Sequence, residues 1–297
     1  MVANGSASFL RGGPGGLIAN SGMQVAIIDD FGRLSIPLGT THLQIEVGCS
    51  NMATIDESPE FEARKTDFLI SFEPLLEMYA EILARGHRRF HNSSRDLAIP
   101  LGHHHQRGVI LPFAISEHGG PMLMEVRRHA GCSSLLPLEP RERQHALSWN
   151  HSESHCADVL ETRSVLSIST TELDSLLPPG LPIRLLKVDA QGMDLLLLRT
   201  LPSSLLQRVS VVQLESRHER CPPLYTGQEN CSRVHDFFTS RGFRGLRCFH
   251  HSPYRLSMNQ LCHLNLEYGR SRTWCQTRWP PYVRDRCARD SRGIVDL

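Results

Sequence analysis

In the stretch IRLLKVDAQGMDLLLLRTLP, Ile183 to Pro202, Lys187 and Asp189 interrupt an otherwise apolar run. Burying charge is expensive, and a core segment normally avoids it. Two residues apart on a strand, the two side chains leave the same face. There they can pair, which lowers the cost of partial burial and fixes both groups. Either this strand surfaces at its end, where charge costs little, or it opens into a ligand site.

The other apolar segments end in polar residues as well. THLQIEVGCSN delivers Glu46, Gly48, Cys49, Ser50 and Asn51. Gly48 permits a tight turn there, and the small residues after it let a ligand approach the backbone closely. DFLISFEP ends in Glu73, where a carboxylate can accept both hydroxyls of a ribose. GVILPFAIS ends in Ala114, Ile115 and Ser116, and RVSVVQLES brings Glu215, with Arg217 and His218 just beyond. In an open α/β sheet, ligands bind outside the carboxyl ends of the strands, so this list describes one rim.

Positioning that rim takes alternating strands and helices. LLEMYAEILARG has helical apolar spacing after the DFLISF strand, and MDLLLLRTL reads as a core-facing helix stopped by Pro202. TRSVLSISTTELDSLLPPG predicts a strand then a short helix, and CSRVHDFFTSRGF a helix before a closing strand pair, RGLRCFHH and LCHLNLEYGR. Such alternation implies right-handed βαβ units and a doubly wound, mostly parallel sheet. The expected organisation is a flexible leader over 1–40, a domain over 41–268 with an insertion at about 117–163, and an Arg-rich tail over 269–297. Within the insertion PMLMEVRRHAGCSSLLPL suggests a small hairpin, and EPRERQHALSWNHSESHCAD an exposed segment.

The composition excludes several classes. A net charge of +1 gives no global field for nucleic acid or membrane, and 6% aromatic residues give no stacking platform for single strands. No apolar run nears the roughly 20 residues that cross a bilayer, so a soluble, cytoplasmic protein is expected. The run RGGPGG fails the spacing of a phosphate loop. Adjacent His103 to His105 lack a carboxylate partner for a metal, and none is expected. Nine cysteines form no C-x-x-C pair, although Cys221 with Cys231, or Cys275 with Cys287, are candidate bridges.

In this order and rough spacing, QIEVGCSN, LISFEPL, LPFAIS, LLKVDAQGMD and VVQLE resemble the FkbM-type methyltransferases. The resemblance implies a class I, Rossmann-like sheet of about seven strands and S-adenosyl-L-methionine as cofactor. It implies that Glu46, Gly48, Ser50 and Asn51 surround the cofactor's amino-acid part, that Glu73 holds the ribose, and that Ala114 to Ser116 lie near the adenine. Lys187 and Asp189 would then sit beside the sulfonium and the acceptor. For an alcohol acceptor, such as a sugar hydroxyl or other small hydroxylated metabolite, a base must remove a proton during attack. Asp189 is the first candidate, with Glu215 or His218 as substitutes; Lys187 orients Asp189, or acts neutral if desolvation lowers its pKa. The chain departs from the family pattern at Gln191, where Glu is usual, at Asp194, where Glu is common, and in GCSNMAT, which lacks a second glycine. Two rival readings follow: a methyltransferase fold without transfer activity, and an RNA or acidic-partner binder using the basic tail.

Overall fold

The computed structural model describes residues 28–50, 55, 58–84, 107–140, 156, 158–217, 223–243, 245–249 and 263–269. Asn51 and His218, the His103 to His105 run and the Arg-rich tail lie outside them. In chain order the strands are β1 (His42–Val47), β2 (Asp67–Phe72), β3 (Gly108–Leu111), β4 (Ala114–Ser116) and β5 (Gly120–Arg127). There follow β6 (Val159–Ser169), β7 (Ile183–Val188), β8 (Val209–Arg217), β9 (Gly245–Phe249) and β10 (His263–Gly269).

Seven of these make the main sheet, in the order β3-β2-β1-β7-β8-β10-β9. The neighbours from β3 to β8 pair in parallel, while β10 runs antiparallel to both β8 and β9. β2 is buried along its whole length and β1 along all but its first residue, as strands covered on both faces must be. The chain therefore adds strands outward from β1 to β3 and then returns beside β1 with β7. That reversal is where a crevice opens in α/β sheets.

Short helices join the strands: α1 (Pro59–Ala63), α2 (Leu76–Ala84), α3 (Thr170–Leu176), α4 (Asp194–Thr200), α5 (Ser203–Arg208) and α6 (Cys231–Ser240). Three of them, α1, α3 and α6, start with side-chain caps. Ser58 accepts from the Phe61 N–H, Asn230 from the Arg233 N–H, and Ser169 with Glu172 forms a reciprocal capping box ahead of α3. The leucine run packs as anticipated, with Leu195, Leu197 and Leu198 of α4 buried in the main core beside Ile45, Ile183 and Val212.

Three expectations are corrected. Residues 28–40 do not belong to a free leader. Leu34 is buried in the core, its N–H bonds to the Leu176 carbonyl, and Ile28 and Ile36 pack against the same cluster. GVILPFAIS is two strands rather than one. It breaks at Pro112, which has no N–H for a ladder, so β3 stays in the main sheet while β4 joins a second sheet of order β4-β6-β5. The local hairpin in PMLMEVRRHAGCSSLLPL is reduced to a bridge between Glu125 and Ser134 on the outer edge of β5, whose extended antiparallel partner is β6. The disulfide among the described residues joins Cys132 to Cys156; Cys221, Cys275 and Cys287 lie outside them. No described helix is long and apolar enough to cross a membrane.

Candidate active site

The ends of β1, β2 and β7 converge on a cleft that opens to solvent. Gly48 and Ser50 come from β1, Glu73 and Leu75 from β2, and Asp189 to Gln191 from β7. Phe113, Ala114 and Ile115 close one side, and residues 130–135 of the β5–β6 connection, apart from Cys132, form the opposite wall.

The β1 turn has no room for a side chain. Gly48 sits at φ +75°, and a Cβ there would stand 1.9 Å from the Asp189 carbonyl oxygen. Ser50 also takes positive φ, at +49°. Its N–H donates to Glu73 Oε2 at 2.7 Å, while Leu75 N–H donates to Glu73 Oε1 at 2.9 Å. Glu73 thus ties the β1 turn to the start of α2. Burial outweighs both hydrogen bonds and pushes its carboxyl up to about 7.

Lys187 is held mainly by a partner from another strand. The register of β1 on β7 sets Glu46 opposite Lys187. The ammonium reaches Glu46 Oε1 at 2.9 Å and Asp189 Oδ2 at 3.8 Å. Burial works to strip its proton, but the carboxylates of Glu46, Asp189 and Glu215 prevail and raise its pKa. The neutral-lysine alternative is therefore corrected: Lys187 keeps its proton. Glu46, expected at the cofactor, is fully buried and turned to Lys187 rather than to the cleft.

Asp189 faces the cleft with its carboxyl pushed up to about 7, first by burial and then by the charge of Glu215. Gln191, at φ +49°, donates from Nε2 to Asp189 Oδ1 at 2.7 Å and is also hydrogen-bonded to Glu215. Its Oε1 accepts from the Tyr225 hydroxyl at 2.9 Å, and that hydroxyl also lies 2.9 Å from the Cys132 carbonyl. The amide thus serves a carboxylate on one side and a phenol on the other. A glutamate at 191 would have no proton to give Asp189.

Behind this turn, Asp194 accepts from the backbone N–H groups of Ala190 and Gly192, which fixes the loop that carries Asp189. Glu215 lies behind Gln191 and does not line the cleft. Ser116 is corrected in the same way. Its hydroxyl pairs with Ser167 at 2.6 Å and with the His118 carbonyl, facing away from the cleft wall, whereas Ala114 and Ile115 do line it.

Reasoning on the sequence missed Tyr225 and the 130–135 strap. Ser134 donates to the Gln191 carbonyl at 2.7 Å, so the strap is tied to the turn bearing Asp189. Nothing local in HAGCSSL or CPPLYTG marks these contacts.

The sheet, reversing between β1 and β7 with polar residues gathered at that point, defines an α/β protein with a cleft at the carboxyl ends of its parallel strands. Residues 55–244 match the methyltransferase FkbM domain, well over half of the 297-residue chain. The chain belongs to that methyltransferase family. The match begins after β1, so the Gly48 turn lies ahead of it. No curated protein matches the chain.

Proposed function

We propose that this protein is an S-adenosyl-L-methionine-dependent methyltransferase that methylates a hydroxyl oxygen of a sugar or other small hydroxylated metabolite. The order of the main sheet supports the doubly wound, class I reading of the fold. The cofactor's requirements fit the residues present. Gly48 leaves backbone open at the β1 end, Glu73 stands at the β2 end, and Leu75, Met78 and Phe113 supply apolar surface. Gly48 and Ser50 would hold the amino-acid part, Glu73 the ribose, and Ala114 and Ile115 the base. When bound, the cofactor supplies an electrophilic methyl group on a positively charged sulfur.

The protein's own task is then positioning and proton removal, since an in-line displacement gains most from alignment. One observation carries the reading: Asp189 stands on the cleft wall, held at Oδ1 by Gln191, with its carboxyl near 7. A base is most effective when its pKa lies near the working pH. Oδ2 takes the acceptor's proton, and Lys187, 3.8 Å away, steadies the charge. The test is calorimetric titration with S-adenosyl-L-methionine of the wild type and of Glu73→Ala. The wild type should bind and the variant bind far more weakly. Absence of binding by the wild type would sink the enzyme reading.

A further inference from the structure

We propose that His129, Cys132 and Cys156 form a site for a thiophilic divalent cation of the zinc class, available when the Cys132–Cys156 disulfide is reduced. One ligand atom from each of the three residues lies within 4.8 Å of the other two. Two thiolates and an imidazole are the donor set that zinc prefers, and three protein ligands leave a fourth position for water or another group.

The site is built by local geometry before any metal arrives. Residues 130–132 form a 3₁₀ turn, with Cys132 N–H bonded to the His129 carbonyl at 2.8 Å. Side chains three apart on such a turn eclipse each other, which brings His129 over Cys132. Their Nδ1···Sγ separation is 3.6 Å. For a tetrahedral zinc with ordinary Zn–S and Zn–N bonds, that edge is about 3.6 Å. Gly131 gives the imidazole its seat, since a Cβ there would lie 3.2 Å from the ring.

Cys156 is delivered from the other side by contacts that do not depend on the disulfide. Arg127 Nη1 donates to the Cys156 carbonyl at 2.9 Å. The Arg128 N–H bonds to the Asp158 carbonyl at 2.9 Å, and Arg128 Nε reaches the Asp158 carboxylate at 2.6 Å. These contacts hold the backbone of Cys156 beside the turn after reduction, and side-chain rotation can open the sulfurs from about 2.0 Å to the roughly 3.8 Å edge of a tetrahedral zinc site.

The chemistry balances with a dithiol as reductant. It gives two electrons and two protons to the disulfide and becomes a disulfide itself, leaving two thiols on the protein. Each thiol releases its proton to water as its sulfur binds the cation, and imidazole binds through its neutral Nδ1. Cation and disulfide are thus mutually exclusive ways of pinning the strap that lines the cleft.

The experiment titrates zinc against a chromophoric chelator in dithiol-reduced, desalted protein and in oxidised protein, and repeats the reduced titration with cobalt(II). The reduced wild type should take up one equivalent more than the oxidised protein, with the visible cobalt spectrum of a tetrahedral thiolate site. That equivalent should vanish in Cys132→Ser and Cys156→Ser. His129 is exposed, so His129→Ala keeps the fold and the disulfide, and should weaken the site by at least about tenfold. Equal uptake by reduced and oxidised protein would overturn the proposal, as would reduced His129→Ala titrating like the wild type.

Discussion

Gly48 lies against the Asp189 carbonyl so closely that a β-carbon would stand 1.9 Å from that oxygen. The β1 turn, where a cofactor would rest, and the β7 turn, where a base would act, are therefore one packed unit.

Gly48→Ala is expected to separate these turns. Positive φ costs a side chain roughly 1–2 kcal/mol, and the backbone collision adds to it. Urea denaturation should show a loss at least that large, and calorimetry a loss of cofactor binding. Unchanged binding would mean the turn does not hold the cofactor.

Gln191→Glu tests why an amide stands where the family commonly has an acid. The variant removes the donor to Asp189 Oδ1 and adds negative charge to a cluster that already holds Asp189, Asp194 and Glu215. A like charge at that range raises a carboxyl pKa, so the rising limb of the transfer rate against pH should move up by about one unit or more. Cofactor affinity should change little. An unmoved limb would exclude Gln191 from tuning Asp189.

Glu73 predicts how stability depends on pH. Its carboxyl rises from 4.5 to about 7 in the folded protein, chiefly through burial. The folded state thus binds the proton more tightly than the unfolded chain. This contribution to stability is fully present below the unfolded pKa and is lost as pH rises through about 7. The shift corresponds to about 3 kcal/mol. The stability of the wild type relative to Glu73→Gln should fall by roughly that amount between pH 4.5 and 7.5 in denaturant titrations. A difference independent of pH would contradict the assignment.

The residues legible in the sequence were those whose signal is local. Gly48, Glu73 and Asp189 follow apolar strands within a few positions, and the sheet rule places strand ends together. Other contacts hinge on packing that no window of sequence contains. Lys187 meets Glu46 across 141 residues because two parallel strands share a register, so Asp189, its neighbour in sequence, is the more distant partner. Tyr225 reaches the Cys132 carbonyl across 93 residues, and Ser134 reaches Gln191 across 57. The break at Pro112 was visible as a proline, but the switch of β4 into a second sheet depends on where β6 returns. Leu34 was lost in a Gly-rich leader because one buried leucine leaves no periodic trace.

In the proposed reaction Asp189 removes a proton from the acceptor hydroxyl during methyl transfer. The direct measurement is incorporation of labelled methyl from S-adenosyl-L-methionine into a fractionated metabolite extract, by wild type and by Asp189→Asn, with cofactor binding followed in parallel. The wild type should label a hydroxylated small molecule, at a rate that rises with pH and levels off above about 7. Asp189→Asn should bind cofactor normally and transfer about 10²–10⁴-fold more slowly. Equal turnover by the two proteins would remove Asp189 as the base, and a wild type that binds cofactor but labels nothing would contradict the account.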